Sequence, residues 1–385
     1  MEKPTFLEFA EGLARGYETF RIDLLPYRRF TPEFFQSLLA ELASSPNSIV
    51  GIRTIGNSFE GRPISLVSVG DGDAKILLWS QMHGDESTAT MAIADILNYL
   101  IQTPGEKTTQ TILSSVHLLF LPILNPDGAA RFQRRTAQGI DMNRDALALR
   151  TPEARILRNL QQQLKPDFGF NLHDQELSTV GSSKELTAIA LLSPAFDESK
   201  SDNPVRLRAE HLASVFAATM NQFVPGRVAR YDESFEPRAF GDNMQHWGTS
   251  TVLVESGHEM NDPEKSTIRK LNFIGLLASL YAIATGEYSR SEISLYETLP
   301  FNGKRAYDVI IRNAEVKHEA GTTTPVDIGI SYQVDTHTNS IPRLVDLGDL
   351  HPFVGLREVD GKGLVIAQSS LVIGEEFDWE RHVLG

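Results

Sequence analysis

Apolar and polar positions along this chain follow two different periods, and the places where the period changes mark its elements. Residues 1–48 repeat apolar side chains at helical spacing; in "TPEFFQSLLAELA" Thr31 stands as N-cap and Pro32 takes the first helical position, where its missing N–H has no partner to lose. "VGIRTIGNS" and "RPISLVSVG" read as strands around the turn residues "FEGR", which predicts a hairpin. After "DGD" the runs become continuously apolar: "AKILLWSQ", "VHLLFLPIL", "DFGFNLH", "ELTAIALLSP" and "STVLVESG", with a short "RVARYD" before the last. Such runs predict strands covered on both faces. Between them, amphipathic stretches predict helices from Glu86 to Ile101, over 152–164, from Pro204 through "VRLRAEHLASVFAATMNQF", and from Pro263 to Thr285. The Asn-Pro-Asp-Gly at 125–128 reads as a turn.

Apolar runs alternating with helices predict an α/β fold: a mostly parallel sheet of about eight strands sandwiched by helices, made mixed by the hairpin. From residue 297 onward, "YDVIIRNAEVKHE", "VDIGISYQV", "LVDLGDL" and "GLVIAQSSLVIG" alternate apolar with polar between Gly, Asn, Asp and Thr clusters. That predicts a small all-β unit. The chain of 385 residues is therefore read as two parts, 1–296 with its helical segment 1–48, and 297–385.

Composition then narrows the function by exclusion. A net charge of −14 and a pI near 5.2 disfavour nucleic acid or an anionic membrane as partner. The absence of cysteine excludes disulfides, thiolate catalysis and cysteine-held metals. "MEKPTFLEFAEGLARGYETF" has no apolar core of signal-peptide length, and no window approaches the roughly 20 apolar residues of a membrane span. A soluble, cytoplasmic protein is expected, with a periplasmic or secreted place left open by the possibility of a removed leader.

Candidate chemistry gathers at the ends of the predicted strands, where open α/β sheets hold their ligands. His83 follows one strand, the Asn125 turn a second, His173 a third and Glu255 a fourth. His83 and Glu86, three apart at a strand-to-helix junction, can face one ion; with His173 they make a His₂Glu set that leaves zinc an open position, as a catalytic site requires. In "GIDMNRDA", Asn143 and Arg144 form an amide–guanidinium pair suited to a carboxylate. Asp141 can hold the free nitrogen of a ligating histidine. "RFQRRT" offers Arg131, Arg134 and Arg135 as cations that could stabilise an oxyanion, with nothing in the residues to choose among them. Glu255, closing the apolar "TVLVES", can act as general base and then as proton donor to a leaving amine.

Taken together, "HGDE", "NPDG", "QRRT", "DMNRD", "NLH" and "VLVES" resemble, in order and spacing, the zinc carboxypeptidases of peptidase family M14 across residues 48–288. The resemblance implies one Zn2+ per chain held by His83, Glu86 and His173, with Glu255 as base for a zinc-bound water. It implies a terminal carboxylate bound by Asn143 and Arg144, a carbonyl polarised by Arg134 (Arg135 if the register moves by one), and Asp141 behind His83. Tyr231 matches the family's substrate-capping tyrosine if a small insertion is allowed. The "DQE" after His173 and the segment 235–250 match nothing that assigns side-chain specificity. The implied activity is hydrolysis of a C-terminal peptide bond, on a peptide with a free carboxylate. An N-acyl-amino-acid amidohydrolase of the aspartoacylase or succinylglutamate desuccinylase type is the alternative, and an inactive zinc-dependent binding protein a second.

Overall fold

The computed structural model describes residues 3–46, 48–334 and 340–384. Among these, the strands β1 (Gly51–Asn57), β2 (Pro63–Val69), β3 (Ala74–Trp79), β4 (Val116–Leu121), β5 (Phe168–Asp174), β6 (Thr179–Val180), β7 (Ile189–Leu192), β8 (Val228–Arg230) and β9 (Ser250–Ser256) precede residue 297. All but β6 join one eight-stranded mixed sheet in the order β1-β2-β4-β3-β5-β9-β7-β8. The expected hairpin is β1–β2, but β2–β4 and β7–β9 are antiparallel too, so the sheet is less parallel than its apolar runs suggest. The parallel centre β4-β3-β5-β9 aligns the carboxyl ends of four strands.

Helices α1 (Phe6–Phe20), α2 (Pro32–Ser44), α3 (Thr88–Gln102), α4 (Lys107–Ser115), α5 (Pro126–Arg131), α6 (Pro152–Leu164), α7 (Pro204–Phe223), α8 (Phe240–His246) and α9 (Ser266–Thr285) cover both faces. Alternation within the strands decides which face each side chain serves: Ile76, Leu78, Leu118 and Phe120 join the cluster under α1, α3, α7 and α9, whereas Leu77, Trp79, Leu119 and Leu121 pack with Leu157 of α6 and with Phe240 and Met244 of α8. Four helices open on an Asn or Thr cap followed by proline: Thr31-Pro32, Asn125-Pro126, Thr151-Pro152 and Asn203-Pro204. The second of these corrects the expected turn at 125–128, because Asn125 Oδ1 accepts from Gly128 N at 2.9 Å and a short helix follows.

Two helix starts also move. α3 begins at Thr88 rather than Glu86 because residues 80–87 form a loop in which Gln81 has φ 45°. α9 begins at Ser266 rather than Pro263, where the Asp262 carboxylate accepts from Ser266 N and Thr267 N at 2.8 and 2.7 Å. α9 has the length and hydropathy of a membrane span, contrary to the expectation that no window would, but it is 83% buried between α1, α3, α7 and the sheet. It is a core helix. The N-terminal segment is fixed to it by charge: Arg269 of α9 donates to Asp95 of α3 (Nε to Oδ2, 2.7 Å) and to the carbonyl of Leu25, while Tyr17 OH and Ile22 N donate to the same carboxylate at 3.0 and 2.8 Å.

Beyond residue 297, β10 (Asn302–Gly303) pairs with β6, and β11 (Ala306–Lys317), β12 (Thr323–Val334), β13 (Ser340–Gly348), β14 (Val354–Asp360) and β15 (Val365–Ala367) form a separate sheet centred on β11. Its own core contains Val309, Ile311, Ile328, Ile330, Leu344, Ile366, Phe377 and Trp379. β14 has no counterpart in the expected strands, since "VGLREVD" offers few apolar positions; conversely, of "GLVIAQSSLVIG" only β15 is extended.

Candidate metal centre and active site

The site grows from the carboxyl ends of β3, β5 and β9. His83 stands four residues beyond β3, in the loop 80–87. That loop is pressed onto the start of α5: a Cβ at Gly84 would lie 2.1 Å from the carbonyl carbon of Gly128, so only glycine allows the approach. His173 is the penultimate residue of β5 and is in direct register with Glu255 on β9.

His83 Nδ1 lies 2.7 Å from Glu86 Oε1, and His173 Nδ1 lies 2.7 Å from Glu86 Oε2; all three residues are buried. Their ligand atoms are within 4.8 Å of one another. His83 Nε2 sits 3.0 Å from Asp141 Oδ1. A carboxylate there accepts a hydrogen bond from Nε2–H, which leaves the Nδ1 lone pair facing Glu86 and His173. Two bare imidazole nitrogens and a carboxylate on one point are the donor set that a zinc-type cation takes, so these residues fit a metal.

The electrostatics follow from burial. Burial opposes charge on His83, yet Glu86 and Asp141 push its imidazole up to about 9. Burial pulls the His173 imidazole down against the attraction of Glu86. Burial would raise the Glu86 carboxyl, but both imidazoles hold it well below the usual carboxylate range. Glu255 goes the other way: burial first, and then repulsion by Glu86, raise its carboxyl well above that range, and its Oε2 has no hydrogen-bond partner among the described residues. A divalent cation between them would draw Glu255 back toward ionisation.

Around this centre the sequence candidates separate. Arg134 Nη1 is 3.1 Å from both His83 Nδ1 and Glu86 Oε1, and its Nη2 is 3.1 Å from Asp141 Oδ2. Arg135 turns away to the carbonyl of Gly139, and Arg131 pairs with Glu60. Asn143 is buried; its Oδ1 accepts from Phe240 N at 2.9 Å and its backbone N–H donates to Asp141 Oδ1 at 2.9 Å, which fixes the amide with Nδ2 unused among the described residues. Arg144 is half-exposed, with Nε 3.4 Å from Glu236 Oε2. Tyr231 follows β8 directly, packs on Val180, Ala190 and Ala229, and its phenol is pushed up to about 12 by Glu255 and by burial.

Residues that the sequence did not single out lie behind the ligands. Asp174 Oδ2 accepts from Arg28 Nη2 at 2.8 Å, Thr88 Oγ1 at 2.6 Å and Lys265 Nζ at 3.4 Å, while Asp174 N donates to Glu86 Oε2 at 3.3 Å. Lys265 is buried and also donates to Ser256 O at 3.1 Å. Position 174 was visible as the first letter of "DQE", but its partners come from residues 28, 88 and 265, which share no local pattern.

Comparison with known proteins finds similarity over part of the chain. Residues 35–184 match the family model described as zinc carboxypeptidase. A probable carboxypeptidase 2 of Arthroderma benhamiae is 29% identical over 163 residues, covering 41% of this chain and 30% of that protein. An uncharacterised protein of Zymomonas mobilis is 26% identical over 179 residues, 45% of this chain and 46% of its own length. The chain thus spans less than half the length of these curated relatives. In fold it is similar to a metallo-carboxypeptidase from Burkholderia cenocepacia, with a TM-score of 0.54 at 18% identity over 67% of this chain and 70% of that one.

Proposed function

From its likeness to zinc carboxypeptidases over residues 35–184, we propose that the chain is a zinc-dependent carboxypeptidase that hydrolyses the C-terminal peptide bond of a substrate with a free carboxylate. The observation that carries this reading is the convergence of His83, Glu86 and His173 on one point, with the unpaired, buried carboxyl of Glu255 in register beside His173.

His83, Glu86 and His173 would hold one zinc ion, which when bound supplies Lewis-acid polarisation of the scissile carbonyl and of the attacking water. The protein's part is positional and protonic. Arg144 and the unused Nδ2 of Asn143 bind the terminal carboxylate, which sets the register of the scissile bond. Arg134 presents a permanent cation where the carbonyl oxygen gains charge. Glu255 takes a proton from water as its oxygen adds to the carbonyl carbon, then gives that proton to the leaving amine nitrogen as the C–N bond breaks. Tyr231, neutral at physiological pH, donates its phenolic hydrogen bond to the substrate.

The test is an assay of the zinc-loaded protein against blocked C-terminal dipeptides and N-acyl amino acids, with Glu255→Gln in parallel. Release of the C-terminal amino acid is expected from the dipeptides. Loss of proton transfer predicts a rate about 10²–10⁴-fold lower for the variant. Cleavage of N-acyl amino acids alone would replace the reading by an amidohydrolase. Equal background rates for both proteins, with zinc bound, would make it a binding protein.

A further inference from the structure

The segments that follow His173 and Glu255 are tied to each other by backbone. Gln175 N donates to Ser256 O at 3.1 Å, Gly257 N to Ala188 O and His258 N to Thr187 O at 2.9 Å each, and Thr187 N to Ser178 O at 3.0 Å. One side chain from the C-terminal β region enters between these strands. Asn302 Oδ1 accepts from Thr187 Oγ1 at 3.1 Å and from Ser178 Oγ at 3.3 Å, and its Nδ2 donates to Gln175 Oε1 at 2.7 Å. The amide therefore touches a residue two beyond His173 and another, Thr187, that is bonded to His258 in the segment following the Glu255 strand.

Its own position is tightly set. Asn302 faces Val180 and Gly303 faces Thr179 in the β6–β10 pair. A Cβ on Gly303 would stand 1.7 Å from Gly181 O, so glycine is needed for this approach. The preceding residues reach the other wall of the site. Pro300 O accepts from Arg230 N at 2.8 Å, and the Arg230 guanidinium stacks on the Phe301 ring at 4.9 Å. Arg230 immediately precedes Tyr231.

We propose that Asn302 is a positioning residue for the reaction, by which the C-terminal β region holds the loop after His173 against Thr187, while its neighbours Pro300 and Phe301 hold Arg230 next to Tyr231. This rests on the carboxypeptidase reading above. An apolar contact could hold the β region against the rest of the chain without fixing its register. An amide that gives one hydrogen bond and takes two, on Gln175 and Ser178 of one loop and Thr187 of another, fixes a single arrangement. Displacements of the order of 1 Å far from the chemistry can lower a rate about 10²-fold, so a latch here acts on turnover before it acts on binding of the substrate carboxylate.

The experiment compares the full chain with Asn302→Leu, Thr187→Val and both together. It reads kcat and KM on a blocked dipeptide cleaved by the wild type, zinc affinity by chelator competition, and the thermal midpoint. Asn302→Leu is expected to lower kcat about 10-fold or more with KM changed less than about 3-fold, and to weaken zinc about 10-fold. The double variant is expected to lose no more than the worse single, and Arg305→Ala, which removes the contact of the same segment to Ser182 O, to stay near wild type. If Asn302→Leu does not fold, Asn302→Asp keeps both acceptor contacts, loses the donor to Gln175, and carries the same measurements. Wild-type kcat and zinc affinity in the Asn302 variant would overturn the inference, as would losses that follow the folded fraction alone. If the wild type binds zinc but cleaves no substrate, the carboxypeptidase reading fails, and the zinc affinities still decide whether Asn302 positions the ligands.

Discussion

Asp242 lies on the first turn of α8, buried, with no cation within ion-pair distance among the described residues and a single long acceptor contact to Glu236 N at 3.5 Å. Burial pushes its carboxyl up to about 7 from an ordinary 3.8. The native state therefore holds this proton at pH values where the unfolded chain has released it. Stability is highest below about pH 4 as far as this group is concerned, falls as pH rises toward 7, and above that carries the full cost of a buried carboxylate, of the order of 2–4 kcal/mol. Asp242→Asn is expected to flatten the wild type's decline in urea midpoint between pH 4 and 8. An undiminished decline in the variant would show that Asp242 ionises without penalty. The same residue-scale logic separates the arginines of "RFQRRT": only Arg134 meets the Glu86 carboxylate, and adjacency in sequence could not indicate this because neighbouring side chains leave the backbone in different directions.

At the scale of elements, the strands of the main sheet and its longer helices were legible locally, since apolar runs and the cap-and-proline starts at Thr31, Thr151 and Asn203 are written within a few residues, whereas α4 and α8 were not read as helices. The N-terminal segment was legible as helices but not in its placement. Its attachment runs through Asp95, which is fully buried, and Arg269, with Tyr17 and the carbonyls of Ile22 and Leu25 as further partners. Removing one member of a buried ion pair leaves the other uncompensated. Asp95→Ala should therefore cost about 3–5 kcal/mol in urea unfolding, whereas Asp95→Leu combined with Arg269→Met should cost much less. Equal losses in the single and double variants would assign the effect to packing rather than to the stranded guanidinium. Arg28, three residues past Leu25, carries the same segment on to Asp174 beside Glu86 and His173.

For the whole molecule, the candidate ligands come from a loop after β3 and from the end of β5, so an ion held by them would tie together strands that the chain separates by about ninety residues. A ligand that binds only the folded state stabilises it by about 2.7 kcal/mol at a hundredfold excess over its dissociation constant. Zinc added to chelator-treated protein should accordingly raise the thermal midpoint, and the combined His83→Ala and His173→Ala variant should show no rise. A rise preserved in that variant would place the ion elsewhere.

By itself the sequence determined the α/β class, the elements of the main sheet and the delivery of His83, His173 and Glu255 to strand ends, because these depend on periodicity and on caps within short windows. Tertiary structure alone decided which arginine faces Glu86, where the N-terminal segment is anchored, that "VGLREVD" is a strand, and that Asn302 meets Gln175. Each of those is a contact between residues far apart in the chain or a pairing made by backbone rather than side chains. Neither kind leaves a local pattern of apolar and polar positions to read.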